Sequence, residues 1–170
     1  MGLRGAARPL YTVEQRRRRD ASRWTLVQGI LAPLQFAVLL VSLALVGRYL
    51  ATGAGLWAAT ASVLAKTATL YAIMITGSIW EKAVFGRYLF APAFFWEDVV
   101  SMLVLALHTA SVAMLLAHLG SPGARFAVAL AGYAAYAVNA AQFLLKLRAA
   151  RLEADRPEAA AHTAPAGGFA

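Results

Sequence analysis

Glu97, Ser101, His108 and Ser111 stand at i, i+4, i+11 and i+14, a spacing that keeps them within about 40° to either side of Glu97 on a helix turning 100° per residue. One polar stripe therefore runs from the acid pair Glu97/Asp98 to a histidine deep in an otherwise apolar segment. Just ahead of it lies Trp80-Glu-Lys-Ala-Val-Phe-Gly-Arg-Tyr-Leu-Phe-Ala-Pro-Ala-Phe-Phe-Trp-Glu-Asp98, with seven of the chain's eighteen aromatics and three of its eight acids. Aromatic surroundings exclude water and favour the neutral form of a carboxyl, which is what a proton donor needs at neutral pH. Glu81, Glu97 and Asp98 are thus candidates for general acid and base. The aromatics suit a flat apolar ligand with acids at its edge. A blander reading stays open: Glu97 and Asp98 can simply begin a helix at the positive end of its dipole, with Lys82 and Arg87 as counter-ions of an anchoring connector.

Other polar residues recur inside apolar runs, where each is costly and is by default a functional hypothesis. Gln28, Gln35 and Ser42 repeat every seven residues on one helix face, as hydrogen-bonding glue between helices or as ligand contacts. Lys66 lies roughly 9 to 15 Å deep at 1.5 Å per residue, a range spanning snorkelling to the surface and pairing with an internal partner. Tyr133, Tyr136, Asn139 and Gln142 are followed by Lys146, and Asn139 with Gln142 can complete a polar pocket. A bis-histidine haem would need His108 and His118, which are about 15 Å apart along one helix. The sequence contains no Walker loop, nucleophile elbow or His-Glu-x-x-His.

The elements that must hold these groups are helices in a bilayer. The 170 residues are 61% hydrophobic with no cysteine and a mean hydropathy of +0.61, too apolar for an ordinary soluble domain. Disulfides, iron-sulfur ligation and thiol catalysis are excluded. Segments at about 25–47, 57–79, 99–119 and 126–146 each reach the roughly 20 residues a bilayer core requires. The expected fold is all-α, an integral membrane four-helix bundle with an aromatic-rich cytoplasmic connector between spans two and three. Turn glycines at Gly47–Gly55 and Gly120–Gly123 make spans one and two, and spans three and four, antiparallel neighbours.

Basic residues sort by side. Arg4, Arg8, Arg16 to Arg19 and Arg23 precede span one, Lys82 and Arg87 lie in the connector, and Lys146, Arg148, Arg151 and Arg156 follow span four. The two other connectors carry only Arg48 and Arg125. By the positive-inside rule both termini face the cytoplasm, and the arginine run contacts anionic lipid rather than nucleic acid. Three regions follow: a basic N-terminal segment 1–23, a membrane domain 24–150, and a C-terminal tail 151–170 expected to be disordered. Residues 1–10 are expected to be disordered as well, with Thr12 capping a short interfacial helix.

Tyr11-Thr-Val-Glu, Trp24-Thr-Leu-Val-Gln-Gly-Ile-Leu-Ala-Pro33, Ile79-Trp-Glu-Lys82, Phe85 to Met102 and Asn139-Ala-Ala-Gln-Phe-Leu-Leu-Lys146 closely resemble the 3-vinyl bacteriochlorophyllide hydratase family of phototrophic bacteria, over about residues 11–150. The resemblance implies a hydro-lyase of bacteriochlorophyll biosynthesis that adds water to the vinyl group on ring A of a chlorophyllide or bacteriochlorophyllide. It implies a bacterial inner-membrane location and neighbouring biosynthetic enzymes as partners, while the small residues Ala131, Gly132, Ala134 and Ala135 leave an oligomer open.

Placement and chemistry then nominate residues for that substrate. Glu97 or Asp98 would protonate the vinyl terminus, with the other acid or Glu81 handling water. Trp80, Phe85, Tyr88, Phe94, Phe95 and Trp96 would stack on the chlorin, with Ser101, Gln35, Asn139 and Gln142 around it. Arg87, Lys82 or Lys146 would hold its propionate, and His108 would ligate its central magnesium. The protein itself would need no cofactor or metal of its own. The competing class is a pigment carrier or assembly factor that binds the chlorin unchanged. A small transporter is a third reading, disfavoured by outer loops poor in polar residues.

Overall fold

The computed structural model describes residues 10–162, with side chains for 10–152. Among them the fold is all-helical: α1 Val13–Ala21, α2 Arg23–Thr52, α3 Leu56–Phe85, α4 Phe95–Leu116 and α5 Pro122–His162. Helices α2 to α5 are long and apolar enough to cross a membrane. α1 starts at a capping box, in which Thr12 accepts from the Gln15 amide and Gln15 accepts from the Thr12 amide. Ser22 caps α2.

The spans pack as two antiparallel hairpins, α2 on α3 and α4 on α5, with α1 against α3. Gly53, in the left-handed conformation, closes α2 and leads into the first turn. α4 ends sooner than the apolar run does: His118 turns left-handed at φ 53° and the Leu119 amide folds back on the Met114 carbonyl. At the other end α5 continues to His162, into the stretch read as a tail, where residues such as Leu152, Glu153 and Ala154 are good helix formers. The segment 163–170, like 1–9, lies outside the described residues.

Each hairpin is held by polar rungs inside an apolar shell. In the first, Gln28 donates to Thr76 at 2.7 Å, Lys66 donates to Gln35, and Ser42 bonds Ser62 at 2.8 Å. The seven-residue repeat on α2 is therefore the face that grips α3. In the second, Asn139 donates to Ser101 at 2.7 Å and Ser111 donates to the Arg125 carbonyl. The hairpins meet at α5, where the Tyr133 hydroxyl bonds Ser42 at 2.6 Å and the Tyr136 ring lies 3.6 Å below the Lys66 ammonium. Near the turns Leu39, Val46, Ala59, Val63, Phe126 and Ala129 fill the core.

Candidate functional site

About half of the segment 80–98, expected to be a connector, is helix. α3 reaches Phe85 and α4 begins at Phe95, so Trp80 and Glu81 belong to the end of one span, and Trp96, Glu97 and Asp98 to the start of the next. Only 86–94 link them. Gly86 closes α3 at φ 84°, a left-handed cap that glycine adopts without a steric penalty.

That short link is tied down by carboxyls. The Phe90 amide donates to Asp98 Oδ2 at 2.7 Å, and the Ala91 amide donates to Glu81 Oε2 at 3.2 Å. Phe90 sits at φ 58°, a conformation costing a bulky residue on the order of 1–3 kcal/mol. Glu81 and Asp98 thus accept from consecutive amides, which sets the two carboxyls side by side. Two carboxyls so placed repel each other when both are ionised, which favours a single proton between them. Both are about 95% buried, at 5% and 4% exposure.

Glu97 is in a different state. Lys146 from α5 reaches it at 2.6 Å and also donates to the Ala93 carbonyl, making a charge-assisted bond at the edge of the cluster. The helix-start reading of Glu97 and Asp98 holds as geometry, since both lie in the first turn of α4. The same two residues also meet Lys146 and Glu81, so three carboxyls gather in two electrostatic environments.

The aromatics divide into two sets. Phe94 is enclosed: Trp80, Phe85 and Phe143 have ring centroids 5.6 to 5.8 Å away and Tyr11 stands at 6.3 Å. Burial pushes the Tyr11 phenol above the ordinary tyrosine pKa, against the lowering pull of Arg19. This set binds α1, α3, α5 and the link together and offers no open ring face at Phe94. Tyr88, Phe95 and Trp96 are exposed on the outside of the bundle, with Phe95 edge-on to Trp96 at 5.4 Å. Phe95 and Trp96 immediately precede Glu97 and Asp98, the Tyr88 ring lies 5.4 Å from the Lys82 ammonium, and Arg87 is exposed. Lys82 folds back onto the Gly86 carbonyl.

The remaining candidates lie deeper. Ser101 and Asn139 bond each other, and Gln142 has a buried side-chain oxygen without a protein partner. Gln35 and Lys66 are wholly buried, which decides between the two readings of Lys66: it has internal partners and does not snorkel. His108 is also wholly enclosed. Its Nδ1 bonds the Val104 carbonyl at 2.8 Å, and a carbonyl only accepts, so Nδ1 carries the proton and Nε2 the free lone pair. Nε2 has no partner, but packing against Gly132 and Tyr133 leaves no opening to a macrocycle. A cavity of about 150 Å³ lies at the opposite, turn end, lined by Trp57, Leu64, Ser111, Leu115 and Phe126 among others, away from the acids. Among the described residues no cluster of histidines and acids is arranged to hold a metal.

Sequence reasoning missed Tyr11, Phe90, Gly132 and Phe143. Phe143 was findable, since it precedes Lys146 by three residues and so shares its helix face. Phe90 was not, because nothing in its neighbours announces a left-handed phenylalanine.

No solved structure matches the chain. Two curated relatives do. A protein of Cereibacter sphaeroides named 2-vinyl bacteriochlorophyllide hydratase is 66% identical over 147 residues, covering 86% of this chain and 91% of the relative. A protein of Rhodobacter capsulatus with the same name is 61% identical over 151 residues, covering 88% and 87%. The 2-vinyl bacteriochlorophyllide hydratase family matches residues 11–149, from the tyrosine that stacks on Phe85 to beyond the lysine that pairs with Glu97, and the chain belongs to that family.

Proposed function

We propose that this chain is a membrane hydro-lyase that adds water across the vinyl group of a bacteriochlorophyllide or chlorophyllide, giving the 1-hydroxyethyl derivative. The vinyl position is numbered 2 in the relatives' names and 3 in systematic tetrapyrrole numbering. The observation that carries the site assignment is the meeting of one buried carboxyl couple, Glu81 and Asp98 on consecutive amides, with one ion-paired carboxylate, Glu97 with Lys146, next in sequence to the exposed Phe95 and Trp96.

Hydration of a vinyl group needs a proton at the terminal carbon and then water at the carbon attached to the ring. The Glu81/Asp98 couple supplies the proton and takes one from the water. The macrocycle spreads the intervening positive charge, and Glu97, held as an anion by Lys146, stabilises it. No cofactor is required, and the central magnesium belongs to the substrate. The chlorin lies flat on Tyr88, Phe95 and Trp96 at the membrane interface, with its propionate toward Arg87. Lys146 is committed to Glu97, and His108 is sealed in the bundle, where it orders α4 against α5. The excess of basic residues at the connector end supports a cytoplasmic position for that end and both termini, in the inner membrane.

The test uses membranes containing the full chain, 3-vinyl bacteriochlorophyllide a and oxygen-18 water, with no added cofactor. A pigment heavier by one labelled water is the expected product. Pigment that binds tightly to folded protein and stays unchanged would replace this reading with the carrier.

A further inference from the structure

We infer that Glu81 holds the proton shared with Asp98 and is the acid of the hydration, that Asp98 is the base, and that the left-handed backbone of Phe90 assigns these roles. The inference rests on the function proposed above and goes one step further, to which carboxyl does what.

Burial does not distinguish the two acids, which are exposed to 5% and 4%. Their amide partners do. Asp98 receives the Phe90 N–H at 2.7 Å, within the range of charge-assisted bonds, whereas Glu81 receives the Ala91 N–H at 3.2 Å. The shorter bond marks the negative oxygen. The anion therefore belongs at Asp98 and the hydrogen on Glu81.

Phe90 makes this asymmetry possible. In an extended chain successive amides point to opposite sides, so residues 90 and 91 could not both face the couple. A left-handed residue turns consecutive N–H groups into one concavity that suits a single negative charge. Two carboxyls with one proton between them present that charge. Phe90 is accordingly a positioning residue, acting through Asp98.

The step balances. The Glu81 O–H breaks and its proton bonds to the terminal vinyl carbon, using the π electron pair and leaving a cation at the ring-attached carbon. Water oxygen bonds to that carbon and gives its extra proton to Asp98. The proton then passes from Asp98 to the adjacent Glu81, restoring Glu81 as the acid with one water consumed.

Infrared spectroscopy of the purified full-length protein at neutral pH tests this without turnover. Protein is prepared with carboxyl-carbon-13 glutamate or, separately, aspartate, and the protonated-carboxyl C=O stretch is recorded. The expected result is a band that shifts with labelled glutamate alone and disappears in Glu81→Gln. A band that shifts with labelled aspartate, or no protonated-carboxyl band, overturns the assignment. For Phe90, glycine and asparagine accept a left-handed backbone and valine does not. Phe90→Gly and Phe90→Asn should keep the glutamate band, while Phe90→Val should weaken it and have a kcat at least tenfold below that of Phe90→Gly. Equal spectra and equal kcat across the three would remove Phe90 from the account. Hydration with an aspartate band defeats this inference alone; a glutamate band without labelled product defeats the hydratase reading instead.

Discussion

Gly132 is the space that His108 occupies: a Cβ at residue 132 would stand 2.8 Å from the imidazole Nδ1 and 3.0 Å from its neighbouring carbon. That same nitrogen is held by its bond to the Val104 carbonyl, so the ring has little room to yield. Gly132→Ala should destabilise the protein by about 1–3 kcal/mol, as overpacking of a close-fitted core does. Thermal unfolding in detergent measures it, and adding His108→Ala should recover part of the loss. In His108→Ala alone, pigment affinity should stay within about threefold, because the ring does not reach the outer face. A loss of pigment binding from otherwise folded protein would return His108 to the substrate.

Lys146 and Glu97 form an ion pair at 2.6 Å in which the acid is nearly buried and the lysine about one quarter exposed. Lys146→Met strands a buried carboxylate, a defect that costs up to about 3–5 kcal/mol in fully enclosed pairs and less here because water reaches the lysine. The Lys146→Met, Glu97→Gln double variant should regain much of the Tm and remain at least tenfold slower than the parent. Full turnover in the double variant would reduce the pair to a structural clip.

Phe94 and Trp96 are two residues apart and should behave oppositely. Phe94 is 2% exposed at the centre of four rings, so Phe94→Ala should cost about 3–5 kcal/mol. Trp96 is 69% exposed, and Trp96→Ala should move stability by less than about 0.5 kcal/mol while raising the pigment KM severalfold. Calorimetry and steady-state kinetics on the same two preparations decide it.

Because the chain has no cysteine, a single introduced thiol reports its own side of the membrane. Arg87→Cys should react with an impermeant maleimide only from the cytoplasmic face, and Gly120→Cys only from the opposite face. The reverse pattern would overturn the orientation drawn from Lys and Arg counts.

Much of this bundle was legible because its signals are periodic. Hydropathy located four spans, and the seven-residue spacing of Gln28, Gln35 and Ser42 marked the α3-facing side of α2, since a polar group in lipid must find a partner. The stripe Glu97, Ser101, His108 and Ser111 likewise faces inward. What periodicity could not reveal is pairing. It gave no means of learning that Lys146 would choose Glu97 over a ligand's propionate, or that Glu81 and Asp98 would meet across the link. Those outcomes depend on where two hairpins dock, a relation between segments distant in sequence. The connector was drawn too long: apolar spans ending near 79 and starting near 99 left the residues 80–98 between them, yet only nine of these, 86–94, lie outside helices.

The rungs between α2 and α3 also bear on how the chain enters a membrane. Lysine at mid-bilayer is a poor substrate for lateral release from a translocation channel when its helix emerges alone. Gln35, already synthesised one helix earlier, can take the Lys66 ammonium before α4 and α5 exist, so the first hairpin can leave as a unit with its polar groups partnered. The second hairpin then arrives with Tyr133 and Tyr136 and completes the contacts at Ser42 and Lys66. Order of synthesis and order of assembly coincide, and the acid cluster, which needs residues from both halves, is the last part of the protein to come into being.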